Sequence, residues 1–279
     1  MINILFCANS GFFDGILTAS LSALERNEKN NPFTFYIFTM DVSHLKENYV
    51  PVDDGQIELL SRVVKEYNEE NRVIKIDVTE LYMRESSSCP NESAYCSPYT
   101  LIRLFADKVE DIPDKLLYLD VDIMFNRDVS LLYDIDIENC EYAAARDHYG
   151  KFLIQPNYIN AGVLLLNVRM ARQTGLFEKA RELIKTKKLT FADQSAIIRS
   201  TTKKKMLAQK FNDQKFLHKS TVVRHFSKRL FWLPKPHTDN IKPWHIDKVH
   251  KVFKYHQFDD IFDKYTTLKK EFFKETVKK

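Results

Sequence analysis

At 279 residues the chain is long enough for one large α/β domain, or two small ones, with a real core. Six glycines are too few to suggest a glycine-rich phosphate loop, and neither GxGxxG nor GxxxxGKS/T occurs. The net charge of +4 belongs to the tail, where Lys264–Lys279 holds six Lys and two Glu; the balanced remainder predicts no nucleic-acid-binding face.

No run of about 18 apolar residues exists to form a transmembrane helix. The chain opens on a strand-like run without a basic leader. Cys7, Cys89, Cys96 and Cys140 show no CxxC or zinc spacing and read as free thiols of a reducing compartment. These features predict a cytoplasmic protein, in which the Asn91-Glu92-Ser93 sequon carries little meaning.

Ile2–Phe6 reads as the first strand and Cys7–Gly11 as a small polar loop after it. Phe13, Ile16, Leu17, Ser20, Leu21 and Leu24 then follow at helical spacing. Phe33–Thr39 is a second strand, Ile57, Leu60, Val64 and Tyr67 mark a second helix, and Arg72–Val78 alternates as a third strand. This β-α-β-α-β order predicts an open parallel sheet with helices on its faces. Such sheets bind ligands at the carboxyl ends of their strands, where the Asn9–Gly11 loop falls.

Ser86–Pro98 is a flexible loop by composition, followed by a helix with Tyr99, Arg103 and Leu104 on neighbouring turns. Arg103 is the one basic residue of that segment. Its two readings are a snorkelling surface side chain and a group aimed at phosphate or base.

Lys115–Phe125 is a continuous apolar run interrupted by Asp120 and Asp122. It reads as one buried strand, on which carboxylates at i and i+2 point to the same side. Buried carboxylates need a cation, and two on one side can share a hard metal ion. The plainer reading is a pair of acids marking a strand end.

A short apolar run at Tyr142–Ala145 ends in Arg146-Asp147-His148. Tyr158–Val168 is another buried strand, entered through Asn160-Ala161-Gly162, where small residues admit close approach to the backbone or form a turn. Leu176–Ile184 is an amphipathic helix. Another helix starts near Asp193, whose default role is to cap it. Thr221–Phe226 is a late strand containing His225. Phe258, Ile261, Phe262, Tyr265, Leu268 and Phe272 mark a tail helix. The expected division is residues 1–255 as one domain and 256–279 as a basic amphipathic tail. That helix either packs on the domain or lies on an anionic membrane surface.

Taken together, these pieces resemble glycosyltransferase family 8, the retaining sugar-nucleotide transferases. The residues carrying the resemblance occur in the family's order. They are Leu5–Asn9, Tyr99–Leu104, Leu117-Tyr118-Leu119-Asp120-Val121-Asp122, Asn160-Ala161-Gly162-Val163, Phe191-Ala192-Asp193-Gln194, His225, and Lys242-Pro243-Trp244. The resemblance implies a GT-A fold: a Rossmann-like mixed α/β sheet flanked by helices, with a C-terminal helical tail. It implies a UDP-glucose or UDP-galactose donor, a glycan or glycolipid acceptor, and a divalent metal, manganese or alternatively magnesium. Asp120, Asp122 and His225 would be the metal ligands. Ala8 and Asn9 would meet the uracil and ribose, with Val121 in the same nucleotide-binding set. Arg103, Asn160 and Ala161 would line the donor sugar, with Asp147, Asp193 and Gln194 around the transferred sugar. Asp193 and Gln194 are the candidate catalytic pair, and an amide is a poor nucleophile beside a carboxylate. Lys242 would meet the diphosphate, with Lys228 as the alternative.

The chain departs from the family's pattern at three places. Asn9 stands where Asp is frequent, Ser195 follows the Asp-Gln pair where an acid is common, and Lys242 follows His225 by 17 residues. Two rival readings use the same residues: a non-catalytic nucleotide-sugar binder, and an Asp-x-Asp phosphohydrolase, whose motif belongs on the first strand.

Overall fold

The computed structural model describes residues 1–92, 97–231, 233 and 235–278, and side chains as far as residue 274. Ser93 of the sequon and Cys96 lie outside the described residues. Cys7, Cys89 and Cys140 are free thiols, as expected.

The chain begins as β1 (Ile2–Cys7), α1 (Phe13–Glu25), β2 (Phe33–Thr39), α2 (Asp54–Tyr67), β3 (Arg72–Asp77) and α3 (Thr79–Glu85). β2 is buried along its whole length, and its aromatic and β-branched residues suit a central strand. α2 starts on a capping box in which Asp53 and Gln56 exchange side chain-to-backbone hydrogen bonds. After a 3₁₀ segment at Pro98–Phe105 come β4 (Lys115–Leu119), β5 (Ile123–Phe125), α4 (Ser130–Tyr133), β6 (Tyr142–Ala145) and α5 (Gly150–Leu153). β7 (Val163–Asn167) leads into α6 (Val168–Thr174) and α7 (Leu176–Thr186), which are separated by Gly175 in the left-handed region (φ 68°). The chain closes with α8 (Ala192–Ser200), β8 (Lys204–Leu207), β9 (Val223–His225), β10 (Arg229–Phe231), β11 (His237–Asp239), α9 (Ile246–Lys248) and α10 (Asp259–Lys278).

Seven strands form the main sheet in the order β3-β2-β1-β4-β7-β6-β8. β1, β2 and β3 are parallel, as the opening β-α-β-α-β order predicts, and only β7 runs against its neighbours, so the sheet is mixed, as the family resemblance implies. The strands alternate their side chains between two cores. Ile4, Phe6, Leu117 and Leu119 face the layer that includes α1, α2 and the start of α10. Leu5, Leu116 and Tyr118 face the layer built from Pro98–Phe105, α7 and α8.

The apolar run Lys115–Phe125 does not form one strand. β4 stops at Leu119, Asp120–Asp122 turns, and β5 leaves the main sheet to pair with β9. The tail takes the packing alternative: Phe258, Ile261, Phe262 and Tyr265 are buried in the first core, and Arg26 pairs with Asp260 at 2.7 Å. No helix of the described residues is long and apolar enough to cross a membrane.

Candidate active site

Because β7 is reversed, its amino end meets the carboxyl end of β4. Asp120 N–H donates to Gly162 O (2.8 Å), joining the Asp-x-Asp turn to the Asn160–Gly162 turn. β9 lies beside β5 with His225 opposite Ile123, which brings the histidine across the first turn. The candidate ligand atoms of Asp120, Asp122 and His225 lie within 4.8 Å of one another. His225 Nε2 is 3.1 Å from Asp122 Oδ1 and 3.8 Å from Asp120 Oδ2. Two carboxylates and one imidazole are a donor set that fits a divalent cation with positions left open.

Each member is held from behind. Tyr118 Oη (2.7 Å) and Arg103 Nη2 (3.1 Å) both donate to Asp120 Oδ1, which leaves Oδ2 toward His225. Lys242 Nζ donates to Asp122 Oδ2. Burial pushes the Asp122 carboxyl up, but Lys242 and His225 outweigh it and hold the group well below the ordinary carboxylate range. Asn212 Oδ1 faces His225 Nδ1 at 3.0 Å, so the other ring nitrogen points at the carboxylates. Gly162 is required by contact: a Cβ there would stand 2.3 Å from His225 Cε1 and 2.7 Å from Asp120 Oδ2. The close approach expected at this glycine is therefore met by the protein's own side chains.

Arg103 is buried (3% exposed), which excludes the snorkelling reading. Its guanidinium stacks 3.9 Å from the Tyr118 ring centre and donates to Ala161 O (2.6 Å). Burial pulls Arg103 down, but Asp193, Tyr118 and Asp120 more than reverse this and keep it charged. Asp193 does not cap α8; Phe191 occupies the cap position, and the Asp193 carboxylate turns inward to Arg103 Nε at 3.2 Å. Burial pushes the Asp193 carboxyl up, Arg103 offsets this in part, and Asp120 adds to the rise. Gln194 Oε1 accepts the Ala161 N–H (2.9 Å), and Asp147 Oδ2 accepts from Asn160 Nδ2 (2.9 Å).

A cleft of about 1070 Å³ opens onto this assembly. Asp120, Asp122, Asp147, Asn160, Gln194, His225, Lys228 and Lys242 line it. Ala8, Asn9, Arg103, Val121, Ala161 and Asp193 are not among its lining residues. Within the long interval between His225 and Lys242, β10 and β11 pair antiparallel, Leu230 and Thr238 line the cleft, and Lys242 reaches Asp122. Asn212 was not signalled by any motif, and Tyr118 was visible only as part of the Tyr-Leu-Asp run.

The model of the family described as Glycosyl transferase family 8 matches residues 3–246. The chain belongs to glycosyl transferase family 8. The lipopolysaccharide 1,3-galactosyltransferase of Salmonella typhimurium is 24% identical over 273 residues, covering 91% of this chain and 76% of that protein. Glycosyltransferase GlyA of Streptococcus pneumoniae is 28% identical over 198 residues, covering 70% of this chain. This family 8 chain spans only 25% of GlyA's length. Among solved structures, an active-site mutant of LgtC superposes with a TM-score of 0.69 at 17% identity, covering 97% of this chain and 96% of LgtC. That likeness establishes the GT-A fold.

Proposed function

We propose that this family 8 chain transfers glucose or galactose from the UDP-sugar to a glycan or glycolipid acceptor, with retention and with a divalent metal at Asp120, Asp122 and His225. The observation that carries the reading is the convergence of those three side chains at the floor of the cleft. Bound there, manganese or magnesium supplies a Lewis acid for the charge that develops on the departing diphosphate. An oxygen-and-nitrogen donor set favours manganese of the two.

The other roles rest on the chain's own groups. Lys242, already on Asp122, brings an ammonium to where the diphosphate charge grows, and Lys228 lines the same cleft. Asn9 is buried, and its Oδ1 has no hydrogen-bond partner. Such an orphaned acceptor suits the imide N–H of uracil, with Ala8 beside it against the base and ribose. Val121 belongs to the same nucleotide-binding set, between the two carboxylates.

Asp147, Asn160 and Gln194 face the cleft and are assigned to the donor sugar, with Ala161 and Arg103 supporting them. Gln194 Oε1 already accepts a backbone N–H, which favours a positioning role over a nucleophilic one. Asp193 supplies negative charge behind the oxocarbenium-like sugar, held in place by Arg103. Since α10 uses its apolar face on the domain, contact with an anionic membrane would run through its lysines.

The test is donor hydrolysis with a panel of nucleotide sugars, with and without Mn²⁺, in the wild-type chain and Asp122→Ala. Metal-dependent UDP release from one sugar, lost in the variant, is expected. Nucleotide-sugar binding with no release from any donor, even with candidate acceptors present, would favour the non-catalytic reading.

A further inference from the structure

Asp147 and His225 are joined by two amide side chains whose hydrogen bonds run in one direction. Asp147 acts as an acceptor at both oxygens. Oδ1 takes the N–H groups of Tyr149 (3.0 Å) and Gly150 (2.6 Å), and Oδ2 takes Asn160 Nδ2 (2.9 Å). At the other end of the Asn160 amide, Oδ1 accepts the Gly162 N–H at 3.0 Å. A backbone N–H can only donate, so the orientation of Asn160 is fixed from both sides.

Asn160 Oδ1 also accepts from Asn212 Nδ2, at 2.9 Å. This turns Asn212 Oδ1 toward His225 Nδ1, and an oxygen 3.0 Å from a ring nitrogen needs a proton on that nitrogen. Reversing the Asn212 amide would set its oxygen against the Asn160 oxygen at hydrogen-bond distance. Asn212 is fully buried, so no solvent competes for these bonds.

We infer that Asn212 is a positioning residue that keeps the proton on His225 Nδ1. Nε2, which faces Asp122 and Asp120, is thereby the nitrogen whose lone pair is offered to a metal ion. Asp147, assigned to the donor sugar, anchors the far end of the same chain of bonds. The role in metal binding rests on the transferase reading above, whereas the location of the proton does not.

The test uses the full chain with ¹⁵N-labelled histidine. Long-range ¹H–¹⁵N correlation, with the His225 signals assigned by His225→Gln, reports the state of Nδ1 in metal-free and Mg²⁺-saturated protein. Nδ1 is expected to be protonated in both. Asn212→Leu removes the acceptor, should release Nδ1 from this state, and should weaken Mn²⁺ binding by about 10–100-fold. Asn212→Asp keeps an oxygen for Nδ1 but loses the donor to Asn160 Oδ1, so it should restore the Nδ1 signature without the full Mn²⁺ affinity, which a purely space-filling role would not predict. An unprotonated Nδ1 in the wild-type spectrum overturns the inference, even if Asn212→Leu fails to fold. So does Asn212→Leu binding Mn²⁺ as tightly as wild type. A protein that passes these tests yet hydrolyses no donor would remove the transferase reading and leave the His225 arrangement standing.

Discussion

Gly162→Ala tests the geometry of the Asp120–Asp122–His225 cluster most directly. Gly162 does not have a left-handed backbone, so alanine brings no conformational penalty there. The whole cost arises from the added carbon. It would sit 2.3 Å from His225 Cε1, 2.7 Å from Asp120 Oδ2 and 2.9 Å from His225 Nδ1. Ordinary contact begins near 3.4 Å, so the imidazole has to retreat by about 1 Å. Metal sites tolerate ligand shifts of only about 0.2 Å.

Neither neighbour can move freely. His225 is tied to Asn212, and Asp120 to Tyr118 and Arg103. Overpacking of this kind costs about 1–3 kcal/mol. The roughly 0.4–1 kcal/mol that alanine gains by restricting the unfolded chain is too small to hide the larger part of that range. If the side chains yield, the cost falls on the metal site and Mn²⁺ affinity drops by about ten- to a hundred-fold. If the backbone yields, it appears in the denaturant melt of the metal-free protein. Mn²⁺ titration by calorimetry together with that melt captures both outcomes. A variant matching wild type in both measurements would refute the packing described around Gly162.

Arg103→Met should lower stability by about 3–5 kcal/mol in urea melts, because it leaves Asp193 buried without its cation. An unchanged midpoint would mean that Asp193 has another partner. Phe262→Ala removes a buried ring from the α10 contact and should cost about 3–5 kcal/mol; a loss under about 1 kcal/mol would argue against tail packing. Glu141 is fully buried and accepts from Thr201, Thr202 and Lys203 at the end of α8. Burial pushes its carboxyl up, but these donors and Thr174 outweigh it and leave it lowered. Its ionised form therefore stabilises the fold above the unfolded value of about 4.3, and that contribution is lost as pH falls through the lower folded value. The stability gap between wild type and Glu141→Gln should be full at neutral pH and shrink below about pH 4. A gap that grows on acidification would contradict this reading of Glu141.

Much of this arrangement was legible because its signals are local. β1, β2 and β3 follow from period-two and continuous apolar runs, and the Asp-x-Asp and Asn-Ala-Gly motifs stand out as short interruptions of apolar runs. What was not legible depends on contacts across the chain. The break after Leu119 is invisible in a run that stays apolar on both sides of the aspartates; it takes β9 to capture β5. Asp193 resembles a helix cap in sequence, but the buried Arg103 draws its carboxylate inward. Asn212 lies 13 residues before His225 in an ordinary polar stretch, and only the folded β9 brings the two together. The direction of β7 likewise depends on its pairing with β4 and β6, which no periodicity encodes.

The pairing of β4 with β7 gives the cluster an alignment scale. Leu117 faces Leu165 and Leu119 faces Val163 along a fully buried ladder whose next rung is Asp120 N–H to Gly162 O. Sliding β7 by one residue would turn its side chains to the opposite core, which the packing forbids. A slip of two would preserve the faces but carry Asn160–Gly162 about 7 Å along Asp120. The spacing between the carboxylates and the residues opposite them is therefore calibrated by leucines deep in the sheet. A cavity at Leu117 or Leu165, neither of which lines the cleft, would act as a miscalibration whose readout is metal affinity.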